Sequence, residues 1–188
     1  MKVSPLSIPG LALVETAPHS DNRGSLVEIF NAGRYAAHGI RCDFVQDNLC
    51  RSRRGTLRGL HWQHPVGQSK LISVFAGEIF DVAVDLRRGS PSFGQWESVV
   101  LSDQNNHQFW IPEGFAHGFC VTSAAAIISY KLSAPYDSQS TMTLAWDDPE
   151  LAIPWPVEKP VLSEQDQSGS ALRDILPRRL PPYLAQAS

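Results

Sequence analysis

The sequence predicts an all-β fold, a sandwich or a closed barrel, and three observations carry that prediction. Short β-rich runs recur at roughly ten-residue spacing. The breaks between them hold turn-forming residues, as in Arg88-Gly89-Ser90-Pro91, Ser102–Asn106 and Pro112-Glu113-Gly114. Helical periodicity is scarce.

The first run is Ser25–Phe30 (SLVEIF), and Asn31–His38 after it predicts one or two turns of helix. Around Arg58, alternation puts Arg58 and Leu60 on one face of a strand and Leu57 on the other. Lys70–Phe75 (KLISVF) and Ile79–Leu86 (IFDVAVDL), separated by a short link with Gly77-Glu78, read as a hairpin. Gln95–Leu101, Gln108–Ile111, Phe119–Val121, Ala126–Leu132 and Thr141–Ala145 continue the series. From Ser163 the chain turns polar and predicts a short helix before Pro177, Pro181 and Pro182. One domain is expected across residues 1–188, with an N-terminal arm of about 1–20 and a C-terminal tail of about 163–188.

The composition narrows the function. Net charge is −3, from 16 Lys+Arg against 19 Asp+Glu, without the basic excess of a nucleic-acid binder. An anionic ligand therefore needs a local cation cluster. Cys42, Cys50 and Cys120 form no CxxC pair and cannot all pair with one another, which fits a reducing compartment. The N-terminus, broken by Pro5 and Pro9, does not read as a signal peptide, and no run approaches the ~20 apolar residues of a membrane helix. The expectation is a cytoplasmic enzyme with no nucleic-acid or membrane partner.

Two segments hold the chemistry. Gln46–Lys70 carries Arg51, Arg53, Arg54, Arg58 and Lys70 with two histidines. The first three arginines suit a solvated face as well as a ligand, whereas Arg58 inside a barrel needs an anionic partner. Phe109–Phe119 holds Pro112-x-Gly114-x-x-His117, a turn followed by a histidine on a returning strand. This resembles the second sequence block of the cupin superfamily and implies a jelly-roll β-barrel with a short C-terminal helical segment. Against the first cupin block, Gly55 is followed after five residues by His61, but the second histidine is Gln63. The acidic position falls on Lys70 or, by the other spacing, Gln68. With two of four usual ligands replaced, no metal is expected, although His64 remains an alternative ligand.

Longer phrases sharpen the resemblance: Arg58–Gln63 (RGLHWQ), Lys70, Asp81–Leu86 (DVAVDL), Gly89–Pro91, Ile111–Phe119 (IPEGFAHGF), Tyr130-Lys131, Trp146–Pro149 (WDDP) and Trp155-Pro156. From about Asp21 to Asp166 the chain resembles the dTDP-4-dehydrorhamnose 3,5-epimerase family. The resemblance implies a homodimer acting, without a cofactor, on a nucleoside-diphospho-4-keto-6-deoxy-hexose at C3, C5 or both. The ketone acidifies the neighbouring C–H bonds, so one base, one acid and an enolate suffice.

The resemblance makes His61 the base; an imidazole, with an ordinary pKa of about 6.5, accepts a proton at neutral pH. Tyr130 is the acid on the opposite face, with Tyr136 as its rival. Lys70 holds the enolate oxygen. Asp166 pairs with His61, with Asp81 and Asp85, on one face of a single strand, as alternatives. Arg23, Glu28, Gln46, Asn48, Arg58, Gln63, His117 and Tyr136 are substrate positions, Arg23 and Arg58 suiting a diphosphate. Phe30 and Trp62 are candidates for stacking on the nucleobase. Thr141 and Gln165 stand where the family usually has Glu and Lys, which leaves nucleotide and sugar open. The competing readings are a mono-epimerase on another nucleotide sugar, a metal-dependent cupin enzyme and a non-catalytic sugar-binding cupin.

Overall fold

The computed structural model describes residues 1–183; residues 184–188 of the expected tail lie outside the described residues. Its elements are β1 (Lys2–Pro5), β2 (Ala12–Glu15), β3 (His19–Asp21), β4 (Gly24–Leu26), α1 (Ala32–Ala37), β5 (Gln46–Arg53), β6 (Leu57–Gln63), β7 (Lys70–Ala76), β8 (Glu78–Asp85), β9 (Trp96–Ser102), β10 (His107–Ile111), β11 (Phe115–Val121), β12 (Ala125–Leu132), β13 (Thr141–Thr143) and α2 (Glu164–Gln167).

Two antiparallel sheets make the body, one in the order β1-β2-β10-β7-β12-β5 and the other β13-β6-β11-β8-β9. They face each other as the predicted jelly roll. Ile72, Val74, Phe109, Ile111, Ala126 and Ile128 of the first sheet pack between the layers against Ile79, Ala83, Leu101, Phe115 and Val121 of the second. Each large side chain so buried contributes roughly 1.5–3 kcal/mol. β3 and β4 form a separate two-stranded ribbon.

The outer faces are covered too. Val14, Leu71 and Trp110 of the first sheet pack with Tyr35 of α1 and Ile40. Val82, Val84 and Ala116 of the second pack under Leu151, Ile175 and Leu180 of the C-terminal segment. Both helices fall where the sequence predicts them. Asn31 caps α1 by accepting from the Arg34 N–H, and Ser163 caps α2 by accepting from the Asp166 N–H. The first twenty residues contribute two sheet strands, β1 and β2, which the sequence reading did not detect.

Two local expectations are corrected. β7 and β8 are not a hairpin: β7 pairs with β10 and β12, β8 with β11 and β9, in opposite sheets. The chain crosses between layers at Gly77, φ 78°, where a Cβ would lie 2.1 Å from the Ala125 carbonyl oxygen. Such corners are where strands switch sheets. Nor do Arg58 and Leu60 share a face. Opposite His117 and Phe119 of β11 stand His61 and Arg58 of β6, so Gly59 and Leu60 face Gly118 alone, two residues against one, and β6 carries a bulge. The bulge turns Leu60 and Trp62 into the outer cluster. Arg58, His61 and Gln63 instead face the interior cavity.

Candidate active site

At one end of the barrel the apolar filling gives way to a polar chamber of about 420 Å³. β6 supplies Arg58, His61 and Gln63, β7 supplies Lys70, β11 supplies His117 and Phe119, and β12 supplies Tyr130. Its construction depends on Gly59, at φ 115°, where a Cβ would meet Gly118 Cα at 2.5 Å and the His117 carbonyl oxygen at 2.6 Å. A side chain there would push β6 off β11 and undo the bulge that aims His61 inward.

His61 and Asp166 form the first pair. His61 Nε2 lies 2.7 Å from Asp166 Oδ1, with 32% of the His61 side chain exposed and 4% of the Asp166 side chain. The nitrogen approaches off its N–H axis, making this a close charge contact rather than an aligned hydrogen bond. The carboxylate is well held: the Gly59 N–H donates to Oδ1 at 3.1 Å and the Ser163 hydroxyl to Oδ2 at 2.7 Å. Burial pushes the Asp166 carboxyl up, but His61, Ser163 and Gly59 outweigh it and hold it below the ordinary carboxylate range. With Nε2 on the carboxylate, Nδ1 is the ring nitrogen left to take a proton. Ser163-x-x-Asp166 is itself a helix-start pattern, a signal in the sequence that Asp166 is anchored.

The second pair lies beside it, since His61 and His117 face each other in register. His117 Nε2 is 2.6 Å from Asp81 Oδ1, and the Asp81 side chain is fully buried. Burial, helped by the nearby Lys70 and His61, lowers the His117 pKa despite Asp81, so the ring is neutral at pH 7. Lys70 completes the floor. Its ammonium donates to the His61 carbonyl oxygen at 3.1 Å, and burial pushes its pKa down to about 8 against the pull of Asp81.

Tyr130 also lines the chamber, and burial raises its phenol pKa, keeping it protonated. Tyr136 sits on the rim, 55% exposed, its N–H donating to Gln46 Oε1 at 2.9 Å. Gln46 Nε2 in turn donates to Asn48 Oδ1 at 2.9 Å, which sets Asn48 in the chamber wall. Arg58 Nε donates to the Ser52 hydroxyl at 3.1 Å. Gln63 Oε1 accepts from the Thr141 hydroxyl at 3.1 Å, and Gln165 Nε2 donates to Thr143 Oγ1 at 3.2 Å. Both departures from the family pattern thus stand on the chamber wall.

Of the sequence-predicted residues, His61, Tyr130, Lys70, Asp166, Asn48, Arg58, Gln63, His117 and Tyr136 converge here. Gln46 supports the wall from behind. Arg23 and Glu28 do not line the chamber: Arg23 pairs with Asp21 at 2.6 Å on the β3–β4 ribbon, and Glu28 with Arg34 at 3.2 Å. Asp85 is occupied by Arg87, Ser90 and Ser92. Phe30 packs on Tyr35 and Phe44, away from the chamber. Trp62 borders it, with its indole N–H given to the Arg179 carbonyl. Sequence reading missed Phe119, Leu132 and Ser163 as lining residues and met Gln68 only at the cupin acidic position; Gln68 Nε2 donates to the Ala134 carbonyl at 2.8 Å. Among the described residues no three His, Cys, Asp or Glu side chains converge as metal ligands would.

The sequence model of dTDP-4-dehydrorhamnose 3,5-epimerase matches residues 5–174. The chain belongs to this family. It is 48% identical over 176 residues to the dTDP-4-dehydrorhamnose 3,5-epimerase of Pseudomonas aeruginosa, covering 93% of this chain and 97% of that one. The crystal structure of the Legionella pneumophila dTDP-6-deoxy-D-glucose-3,5-epimerase, in complex with dTDP-4-keto-L-rhamnose, aligns with TM-score 0.95 and 48% identity over 98% of this chain and 99% of that chain. A 3'-monoepimerase from Streptomyces bikiniensis, in complex with dTDP-quinovose, aligns with TM-score 0.84 and 35% identity over 90% and 87% of the two chains. No helix among the described residues is long and apolar enough to cross a membrane.

Proposed function

We propose that this enzyme inverts C3 and C5 of a dTDP-4-keto-6-deoxy-hexose. The observation that carries this reading is one chamber holding His61 against Asp166 with Lys70 and Tyr130. His61 removes the proton next to the C4 ketone, and Asp166 stabilises the imidazolium that forms. Lys70 holds the enolate oxygen as charge develops on it. Tyr130, neutral because of burial, donates a proton to the opposite face. Arg58 at the chamber wall takes the diphosphate, its planar fork matching the phosphate oxygens.

The working enzyme is a homodimer. Leu26 on the β3–β4 ribbon is 75% exposed, and Arg23 beside it reaches outward, so the ribbon suits delivery of Arg23 and Glu28 to a second copy's chamber. Co-expressed His61→Asn and Arg23→Ala chains then regain activity that neither homodimer has; no regain, or a monomer by light scattering, overturns the exchange. The three free cysteines suit a reducing cytoplasm.

The test of function is incubation with dTDP-4-keto-6-deoxyglucose in D2O, repeated with other nucleoside diphosphates. Deuterium at both C3 and C5 is expected. Deuterium at one carbon would make this a mono-epimerase like the Streptomyces relative, and none with any nucleotide would overturn the reading.

A further inference from the structure

His117 and Asp81 do no proton transfer in the scheme above, yet His117 lines the chamber and Asp81 is buried completely behind it. Asp81 is fully buried, its Oδ1 lies 2.6 Å from His117, and its Oδ2 has no hydrogen-bond partner. A buried carboxylate oxygen without a partner is costly unless a charge nearby compensates it. Of the basic side chains that line the chamber, Arg58 gives its Nε–H to Ser52 and His61 lies against Asp166, which leaves His117 and Lys70 as candidates for the counter-charge. Burial keeps the His117 ring neutral, which leaves Lys70. Lys70 equally lacks another anion: its one hydrogen bond goes to a backbone carbonyl, and Asp166 is taken up by His61, Ser163 and Gly59.

We propose that Asp81, oriented by His117, is the counter-charge that keeps Lys70 an ammonium inside the chamber, making Asp81–His117 a positioning pair for the enolate clamp. The proposal rests on the reading of Lys70 as that clamp. Other ionisable groups surround the same space: Arg58 and His61 from β6, His117 from β11, Tyr130 from β12 and Asp166 from α2. Tyr136 stands at the rim, and Cys50 on β5 adjoins Tyr130. Among them Asp81 is the anion whose field acts on Lys70, drawing its pKa up against burial toward about 8. Without Asp81 the lysine is left desolvated and alone, and it sheds its proton at lower pH.

The chain has four lysines, so Lys70 can be followed by NMR with 13Cε-labelled lysine and assigned through its loss in Lys70→Gln. In the free enzyme Lys70 titrates near 8. In Asp81→Asn the midpoint falls by roughly one unit. The rate deficit against wild type is then about threefold at pH 7.5, about eightfold at pH 8.5, and closes at pH 6. An unchanged Lys70 midpoint in folded Asp81→Asn, or a deficit independent of pH, overturns the proposal. His117→Gln leaves the carboxylate in place and keeps the Lys70 midpoint at or above the wild-type value; a fall matching that of Asp81→Asn overturns the assignment to Asp81, whether or not Asp81→Asn folds. The NMR arm reads the pair without substrate. Full activity in Lys70→Gln would sink the clamp reading separately.

Discussion

The two histidine–aspartate pairs of this barrel are built from the same groups, with their histidines on adjoining strands, yet they differ in solvation and in what holds the carboxylate. His61 opens to the chamber with 32% of its side chain exposed, and Asp166 is saturated by Gly59 and Ser163. His117 is buried, and Asp81 keeps one oxygen unpartnered. A ring that meets solvent can take up and release a proton, while its fixed carboxylate stabilises the charged state. A ring sealed from water stays neutral, and its carboxylate is left to act on a third group. On the proposed mechanism, proton transfer and charge holding are divided between two pairs whose histidines face each other across β6 and β11.

The contrast can be broken at several points. The largest effect is expected from the histidines themselves: His61→Asn lowers kcat by about 10²–10⁴-fold, the usual worth of a general base. His117→Gln lowers it by about tenfold or less. Equal losses would erase the distinction between the pairs. Tyr130→Phe is next, with inversion lowered about 10²-fold. Washout of deuterium from labelled substrate should survive in it, because abstraction by His61 does not need the phenol. Loss of washout along with inversion would move Tyr130 out of the acid role.

A smaller effect is the alkaline limb. Lys70 must be charged to hold an enolate, and it is protonated below about 8, so kcat/KM falls as pH rises through about 8. A profile flat to pH 9.5 would contradict the clamp. The smallest effect on turnover belongs to Asp85. Although fully buried, it holds Arg87, Ser90 and Ser92 rather than a histidine. Asp85→Asn should change kcat less than about twofold while removing about 3–5 kcal/mol of stability, read by chemical denaturation. Its pKa lies below the ordinary value because the bonds from Arg87, Ser90 and Ser92 outweigh burial. The stability it adds is therefore present above the unfolded pKa of about 3.9 and lost as pH falls through the lower folded value.

The chemistry was more legible in the sequence than the chain path. His61, Lys70, Tyr130 and Asp166 are 105 residues apart end to end, yet their motifs placed them together, because each motif carries its own residue order. The hairpin expectation for β7 and β8 fails because both strands bury apolar residues on both sides, one side meeting the barrel core and the other an outer cluster. Burial on both sides removes the contrast between a core face and a solvent face that would tell one sheet from two. The β6 bulge was invisible for a different reason: it is defined by His117 and Phe119 on the opposing strand, so no local pattern in Arg58–His61 encodes it. Arg23 and Glu28 were recognised as residues, but their distance from the chamber of their own chain follows from the ribbon's position, which sequence does not give.

The most direct test compares wild type and His61→Asn on dTDP-4-keto-6-deoxyglucose in D2O, following deuterium at C3 and C5 by NMR or mass spectrometry. The account predicts incorporation at both carbons with wild type and none above background with His61→Asn. Deuterium entering at the wild-type rate in folded His61→Asn would contradict it.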